Sequence, residues 1–135
     1  TAGEDLPKQV KAVVSDCAYT SVWDIFSQKL KDWYGTGPFP ILYETNIIFQ
    51  LRGGYSLLTA SALEQVKKSS LPILFIHGEA DDFVPLSMVY ELYEQAGGPK
   101  ELLTVPGAGH GLSNYTDPDA YYGTVFSFLQ QYGGF

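Results

Sequence analysis

The stretch Leu71 to Pro85, LPILFIHGEADDFVP, predicts a buried strand that runs directly into a loop carrying two carboxylates. A second apolar run, Leu102 to Leu112 with the sequence LLTVPGAGHGL, ends in a loop that carries His110. In a parallel sheet, polar side chains used in chemistry collect in the loops beyond the carboxyl ends of the strands. The two stretches therefore predict an acid and a base that meet at one edge of a sheet.

The segments around these two stretches alternate between strand and helix patterns. Such alternation with short connections is typical of parallel strands joined by right-handed crossovers, so the predicted fold class is α/β with flanking helices. Residues 39–58 fit neither period cleanly, and we expect short helices that cross the surface there. The predicted strands are Val10–Val14, Leu71–Ile76 and Glu101–Val105, and the predicted helices are Ser21–Trp33, Ser61–Lys68, Pro85–Ala96 and one opened by Asp117-Pro118.

Helical spacing also predicts which side chains face the sheet. On the first helix, the apolar face comprises Val22, Ile25, Phe26, Leu30 and Trp33, and the outward face comprises Asp24, Gln28, Lys29 and Asp32. On the last helix, the residues expected to face inward are Tyr122, Val125, Phe126 and Leu129.

Composition limits the classes of function. With 135 residues, 45% of them hydrophobic, the chain can form one domain with its own core. Its 8 basic and 15 acidic residues give a formal net charge of −7, which repels phosphate backbones and anionic lipid. We therefore expect neither nucleic acid nor membrane as a partner. Cys17 is the single cysteine, which excludes an intrachain disulfide and favours a cytoplasmic protein.

His110 is the strongest candidate for an acid–base residue. Glycines at positions 107, 109 and 111 leave space around it for a neighbouring loop. An imidazole exchanges protons near neutral pH, and a carboxylate bonded to its other nitrogen fixes the tautomer and stabilises the imidazolium. From the residues alone, either Asp81 or Asp82 could be that carboxylate.

At these residues the sequence resembles the carboxyl-terminal half of an alpha/beta-hydrolase-fold enzyme, of the serine esterase or acyl-peptidase-like kind. The resemblance implies that Asp81 is the triad acid, that His110, 110 − 81 = 29 positions later, is the triad base, and that His77 braces the loop. It also implies an ester, acyl or peptide substrate and no cofactor or metal. The matching pieces cover most of Val10 to Leu129 and read VVSDCAYTSVWD, ILFIHGEADDFVP, LLTVPGAGHG and VFSFL.

The sequence departs from that family in one important respect, because the nucleophile motif Gly-x-Ser-x-Gly does not occur in it. In the family's order the motif would lie upstream of Thr1. The chain would then be a partial domain that is inactive alone, with residues 39–68 as a possible lid-like or surface helical segment. The alternative interpretation is a non-catalytic half-fold that acts as a binding or assembly module. Either way, a half-fold exposes apolar surface, so we expect self-association or pairing with the missing half.

Several other residues allow both a functional and a structural interpretation. Tyr19, Trp23 and Tyr115 could line an acyl pocket or simply pack near the sheet. Cys17 could be a reactive thiol, Asp16 an alternative acid, and the set His77, Asp81 and His110 a zinc site; for each, a structural role is the preferred interpretation. The serines that lack the nucleophile context are Ser15, Ser21, Ser56, Ser61 and Ser113.

Overall fold

A computed structural model describes residues 6–134 of the chain. Its centre is a parallel sheet of three strands in the order β1-β2-β3, and their ranges are Val13–Asp16, Ile73–Gly78 and Lys100–Val105. Ile73 is aligned with Val13 on one side and with Lys100 on the other. The predicted α/β class is confirmed, and the three strands end at the same edge of the sheet.

Helices connect and cover the strands. Three of them begin at the predicted residues, each of which caps its helix: the side chains of Ser21, Ser61 and Asp117 accept hydrogen bonds from the amides of residues 24, 64 and 120 at 2.9, 3.2 and 3.0 Å. The helices are α1 (Val22–Tyr34), α2 (Ile41–Gly53), α3 (Ala62–Lys68), α4 (Leu86–Gln95), α5 (Ser113–Thr116) and α6 (Pro118–Tyr132).

The core lies on the two faces of β2, whose six residues are all buried. A strand covered on both faces has no polar alternation, which explains its continuous apolar run. One face, with Ile73 and Phe75, packs against Val89 and Leu92 of α4 and against Ala96, the residue that follows this helix. The other face, with Leu74 and Ile76, packs against Phe128 of α6.

Pairing with β2 decides the bounds of β1. The sequence predicted Val10–Val14, but the strand begins at Val13 and continues through Ser15 and Asp16, which align with Phe75 and Ile76. A polar pair at the end of an apolar run looked like the start of a loop. Register with the central strand, not local composition, extends the strand through it.

The predicted inward faces of two helices are partly wrong. On α6, Val125 and Leu129 pack against the core as expected, but Tyr122 and Phe126 are exposed, Phe126 by 62%. The inward stripe instead continues through Tyr121, Phe128 and Tyr132. On α1, Phe26 and Trp33 are exposed, whereas Lys29, expected to face outward, is only 4% exposed.

Within residues 39–58 the chain forms one 13-residue helix, α2, in place of several short ones. Its buried residues are Leu42 and Asn46. The Asn46 side-chain oxygen accepts hydrogen bonds from the Leu57 amide at 2.8 Å and the Ser56 hydroxyl at 3.0 Å, which anchors the segment that follows the helix. Its exposed apolar side chains are Ile41, Tyr43, Ile47, Ile48, Phe49 and Leu51.

Within residues 6–134, no helix has the length and apolar character needed to cross a bilayer.

The loops that leave β2 and β3 touch each other at Gly78. The Glu79 amide donates to the Val105 carbonyl at 3.0 Å, and the Ala80 amide donates to the Ala108 carbonyl at 2.9 Å. A β-carbon at position 78 would lie 2.8 Å from the Gly109 carbonyl oxygen, closer than real β-carbons approach backbone. Glycine is therefore required where the two loops meet.

We predict that Gly78→Ala lowers the free energy of unfolding by about 1–3 kcal/mol, because the new methyl group must push two backbone segments apart. Urea unfolding followed by circular dichroism measures the change. Gly109→Ala is the matched control, since a β-carbon there would meet only the Leu112 side chain at an ordinary 3.5 Å. Equal losses for the two variants would contradict the prediction.

Candidate active site

Asp81 and His110 meet beyond the carboxyl ends of β2 and β3. His110 Nδ1 lies 2.8 Å from Asp81 Oδ2. Because a carboxylate oxygen accepts, Nδ1 is the donor, and in the neutral imidazole Nε2 is then the free acceptor. Asp82, the other aspartate left open by the sequence, is exposed, and it is Asp81 that contacts the imidazole.

The other oxygen of Asp81 is held by the backbone of its own loop. Oδ1 accepts the amide hydrogens of Phe83 at 2.9 Å and Val84 at 2.8 Å. The side chain of Asp81 is fully buried, so these bonds replace the water that burial removes. Both oxygens of Asp81 are therefore bonded, and the orientation of the carboxylate toward His110 is fixed.

These contacts determine the charge state of Asp81. Burial by itself raises the pKa of the carboxyl, but the hydrogen bonds from Val84, His110 and Phe83 outweigh it, so the net pKa is lowered. Asp81 is consequently a carboxylate at neutral pH. A carboxylate in this position can stabilise an imidazolium on His110.

His77 lies beneath the pair and is completely buried. Its Nε2 donates to the Val84 carbonyl at 3.0 Å and lies 3.4 Å from Asp81 Oδ2. Its Nδ1 has no hydrogen-bond partner among residues 6–134. We call residues 79–85, which connect β2 to α4, the acid loop. The contacts of His77 tie the two ends of this loop together, which fits the bracing role implied by the sequence resemblance.

Residues 106–112, which connect β3 to α5, form the histidine loop. Cys17 and Asp16, at the end of β1, contact this loop and α6. The thiol accepts the Gly111 amide at 3.2 Å and donates to Asp16 Oδ1 at 3.2 Å. Burial raises the pKa of Cys17 to about 11, so the group is a thiol and not a thiolate at neutral pH. The second oxygen of Asp16 accepts the Tyr121 hydroxyl at 3.1 Å, and burial, with Asp16 nearby, raises the pKa of Tyr121 to about 12.

One group of potential metal ligands lies close to the pair, but it differs from the set considered in the sequence. Ligand atoms of Cys17, His77 and Asp81 fall within 4.8 Å of one another, and Cys17 takes the place of His110. Hydrogen bonds already engage an atom of each: the Cys17 thiol, Nε2 of His77 and both oxygens of Asp81. Those bonds give each of the three side chains a structural role.

The three aromatic residues predicted to line an acyl pocket have different surroundings. Tyr19 lines an open groove of about 520 Å³ between the end of β1 and the start of α3, together with Cys17, Val22 and Ser61. Trp23 packs edge-on against Tyr43 of α2, with ring centroids 5.0 Å apart. Tyr115 is 79% exposed.

The serines considered as nucleophiles occupy structural positions. Ser21 and Ser61 cap helices, Ser56 bonds to Asn46, and Ser113 is fully buried at the start of α5. Ser15 lies within β1. In the described part of the chain, the side-chain hydrogen bond of His110 runs from its Nδ1 to Asp81.

Two residues near the pair were not identified from the sequence. The Phe83 ring packs in an edge-to-face arrangement with the His110 imidazole, with centroids 5.1 Å apart. The Lys29 ammonium donates to the Asp82 carbonyl at 3.1 Å. Phe83 follows Asp81 by two positions and could have been suspected, but Lys29 is 53 positions from Asp82 and was expected on the outward face of α1.

The fold is that of the carboxyl-terminal part of an alpha/beta-hydrolase. An esterase of Pyrococcus furiosus superposes with a TM-score of 0.66 at 19% identity, covering 96% of this chain and 47% of the esterase. An acylaminoacyl peptidase of Pyrococcus horikoshii superposes with a TM-score of 0.62 at 19% identity, covering 93% of this chain and 20% of the peptidase.

The chain belongs to the prolyl oligopeptidase family, whose sequence model matches residues 5–134. The uncharacterized protein YqkD of Bacillus subtilis (strain 168) is 32% identical over 116 residues, which are 86% of this chain and 38% of YqkD. Dipeptidyl-peptidase 5 of Aspergillus oryzae is 26% identical over 136 aligned positions, covering 98% of this chain and 18% of that peptidase. The chain thus spans less than half the length of either relative.

We predict that protonation of Asp81 destabilises the protein in acid. A carboxyl with a lowered folded pKa contributes stability above its unfolded pKa, near 3.9, and this stability is lost as the pH falls through the lower folded value. Urea unfolding between pH 7 and pH 2 should show a loss of stability below about pH 4 that Asp81→Asn reduces. Asp82→Asn is the control because Asp82 is the exposed neighbour, and an identical acid dependence in wild type and Asp81→Asn would refute the prediction.

Proposed function

We propose that this chain supplies the acid and the base of a serine hydrolase active site that cleaves carboxylic ester, thioester or amide bonds by acyl transfer. The observation that carries the proposal is the 2.8 Å hydrogen bond from His110 Nδ1 to the buried carboxylate of Asp81. Membership of a peptidase family and the fold of an esterase support the same class of reaction.

In the proposed mechanism, His110 moves the protons. Its side chain is 42% exposed, so Nε2 can be reached by a serine hydroxyl from outside the two loops. Nε2 takes the serine proton as oxygen attacks the carbonyl carbon, and the imidazolium then gives that proton to the leaving alcohol, thiol or amine. Asp81 stays ionised and stabilises the imidazolium through Nδ1. In the second half, Nε2 takes a proton from water as the water oxygen attacks the acyl carbon. The imidazolium then returns that proton to the serine oxygen as the acyl–serine bond breaks, and the acyl group leaves as a carboxylic acid.

The proposed nucleophile comes from a segment outside these 135 residues. Within the described chain, β1 is an edge strand that pairs on one side only, with β2. A further parallel strand beside β1 would end at the same edge of the sheet as Asp81 and His110, and a serine in the turn after it would face their loops. The groove lined by Tyr19 and Val22 opens at that edge and would take part of the substrate, with Trp23 and Tyr115 as further candidates for substrate contact.

Activity of the full-length protein tests this function. The coding sequence within about 30 residues upstream of Thr1 should contain Gly-x-Ser-x-Gly. The full-length protein should hydrolyse a short-chain chromogenic ester, while the 135-residue chain alone should not. Asp81→Asn should lower kcat by about 10⁴-fold, because an amide at this position favours the wrong imidazole tautomer.

The matched control is Asp82→Asn, which makes the same chemical change one residue away on an exposed side chain. It should leave kcat within about twofold of wild type. A full-length protein that lacks the motif, or one in which Asp81→Asn and Asp82→Asn behave alike, would rule out the proposed roles.

A second candidate function is a binding or assembly module, and exposed apolar side chains favour it. Val14 on the edge strand is partly exposed, and Tyr122 and Phe126 stack on each other at the surface of α6 with centroids 6.4 Å apart. Such surfaces promote association between chains. In this proposal the partner is either a second copy or a segment that completes the sheet.

We predict that the 135-residue chain self-associates, and that replacing Tyr122 and Phe126 by serine reduces the association. Sedimentation velocity over a hundredfold range of concentration measures it. The control is Ser127→Ala, which changes a different exposed side chain of α6 and should associate like wild type. A chain that sediments as a monomer at every concentration would contradict this prediction.

A further inference from the structure

We propose that Lys29 is a positioning residue for the Asp81–His110 pair, acting through the backbone of Asp82 and the ring of Phe83. The inference rests on the proposed function, because it concerns the orientation of the two groups given acid and base roles there. In this proposal, a long-range contact between α1 and the acid loop helps to hold Asp81 and His110 in place.

Lys29 is a buried cation whose charge is satisfied. Its ammonium donates to the Asp82 carbonyl at 3.1 Å and pairs with Asp32 Oδ2, also at 3.1 Å. Asp32 is one turn along α1, and its hydrogen bond with Lys29 helps to lower the pKa of its carboxyl. Burying an ammonium is costly unless hydrogen bonds and an opposite charge replace water, and Lys29 has both. A side chain held in this way resists displacement.

Two aromatic rings complete the environment of the ammonium. The Lys29 Nζ lies 5.3 Å from the centroid of Phe83 and 6.0 Å from that of Trp33. Both distances are within the range in which a cation is attracted to a ring face. The contact therefore fixes the Phe83 side chain as well as the carbonyl of the residue before it.

Phe83 connects this contact to both members of the pair. Its amide donates to Asp81 Oδ1 at 2.9 Å, and its ring packs against the His110 imidazole with centroids 5.1 Å apart. Displacement of the Asp82–Phe83 segment would thus move a hydrogen bond of the acid and a packing surface of the base together. The described contacts of Lys29 are with Asp32, Asp82, Phe83 and Trp33, so its influence on the pair is indirect.

The main test measures the NMR signal of the hydrogen-bonded Nδ1 proton of His110 in full-length protein labelled with ¹⁵N-histidine. Wild type should show a low-field proton for this bond, assigned by its loss in His110→Gln. Lys29→Met keeps the aliphatic part of the side chain but removes both hydrogen-bond donation and charge, so the signal should shift upfield or broaden. Lys31→Met makes the same change on an exposed lysine of α1 and should leave the signal in place.

Kinetics give a second readout. In Lys29→Met, kcat should fall by about tenfold or more while KM changes by less than about twofold, because the orientation of the acid and base is altered and the substrate groove is not. Lys29→Arg retains a cation and should restore part of the lost kcat. Unchanged kcat and an unchanged Nδ1 signal in Lys29→Met would overturn the proposal.

Phe83→Leu tests the same chain of contacts from Lys29 to the pair without removing a buried charge. It therefore keeps the proposal testable if the Lys29 variants do not fold. It should weaken the Nδ1 signal and lower kcat in the same direction. Since both residues act through one segment, the double variant should lose about as much kcat as the worse single variant. Multiplicative losses, or a Phe83→Leu protein indistinguishable from wild type, would show that the path through Phe83 is wrong.

The two proposals can fail separately. If wild-type protein has no hydrolase activity, the NMR comparison of Lys29→Met with Lys31→Met still decides whether Lys29 orients His110. If activity depends on Asp81 and His110 but neither Lys29→Met nor Phe83→Leu alters the Nδ1 proton or kcat, the proposed function stands and the positioning role is rejected.

Discussion

The structure around the candidate site depends on how the buried carboxylate of Asp81 is satisfied. A fully buried carboxylate is tolerated only when hydrogen bonds replace its water, and Asp81 takes them from the amides of Phe83 and Val84 and from His110. Those donors come from two loops that follow different strands. Satisfying one charge therefore fixes the path of the acid loop and holds the histidine loop against it.

The close approach of the two loops has a backbone requirement as well as an electrostatic one. Gly78 ends β2 where a β-carbon would meet the backbone of residues 108 and 109, and the amides of Glu79 and Ala80 bond across the same gap. His77, immediately before, bonds the far end of the acid loop at Val84. Four consecutive positions of the chain, residues 77–80, thus set the distance at which Asp81 and His110 meet.

Local patterns were sufficient for much of the fold. The continuous apolar run of β2, the capping side chains of Ser21, Ser61 and Asp117, and the order of strands and helices all follow from short-range physics. The patterns failed where a long-range partner decides. Phe126 and Phe128 of α6 are equally apolar, and only packing against β2 selects Phe128 for the core. Lys29 was assigned to the outer face because its charge usually prefers water.

By itself, the sequence determined the α/β class and the residues Asp81, His110 and His77 at the ends of two strands, because parallel strands bring their exit loops to one edge. The choice between Asp81 and Asp82 was open in the residues themselves, and the family resemblance selected Asp81. Only the tertiary structure decided which carboxylate contacts the imidazole, the burial of Lys29 against the acid loop, and the outward-facing side chains of α2 and α6. These features depend on contacts between residues far apart in the chain, such as Lys29 and Asp82, and a local pattern carries no information about such partners.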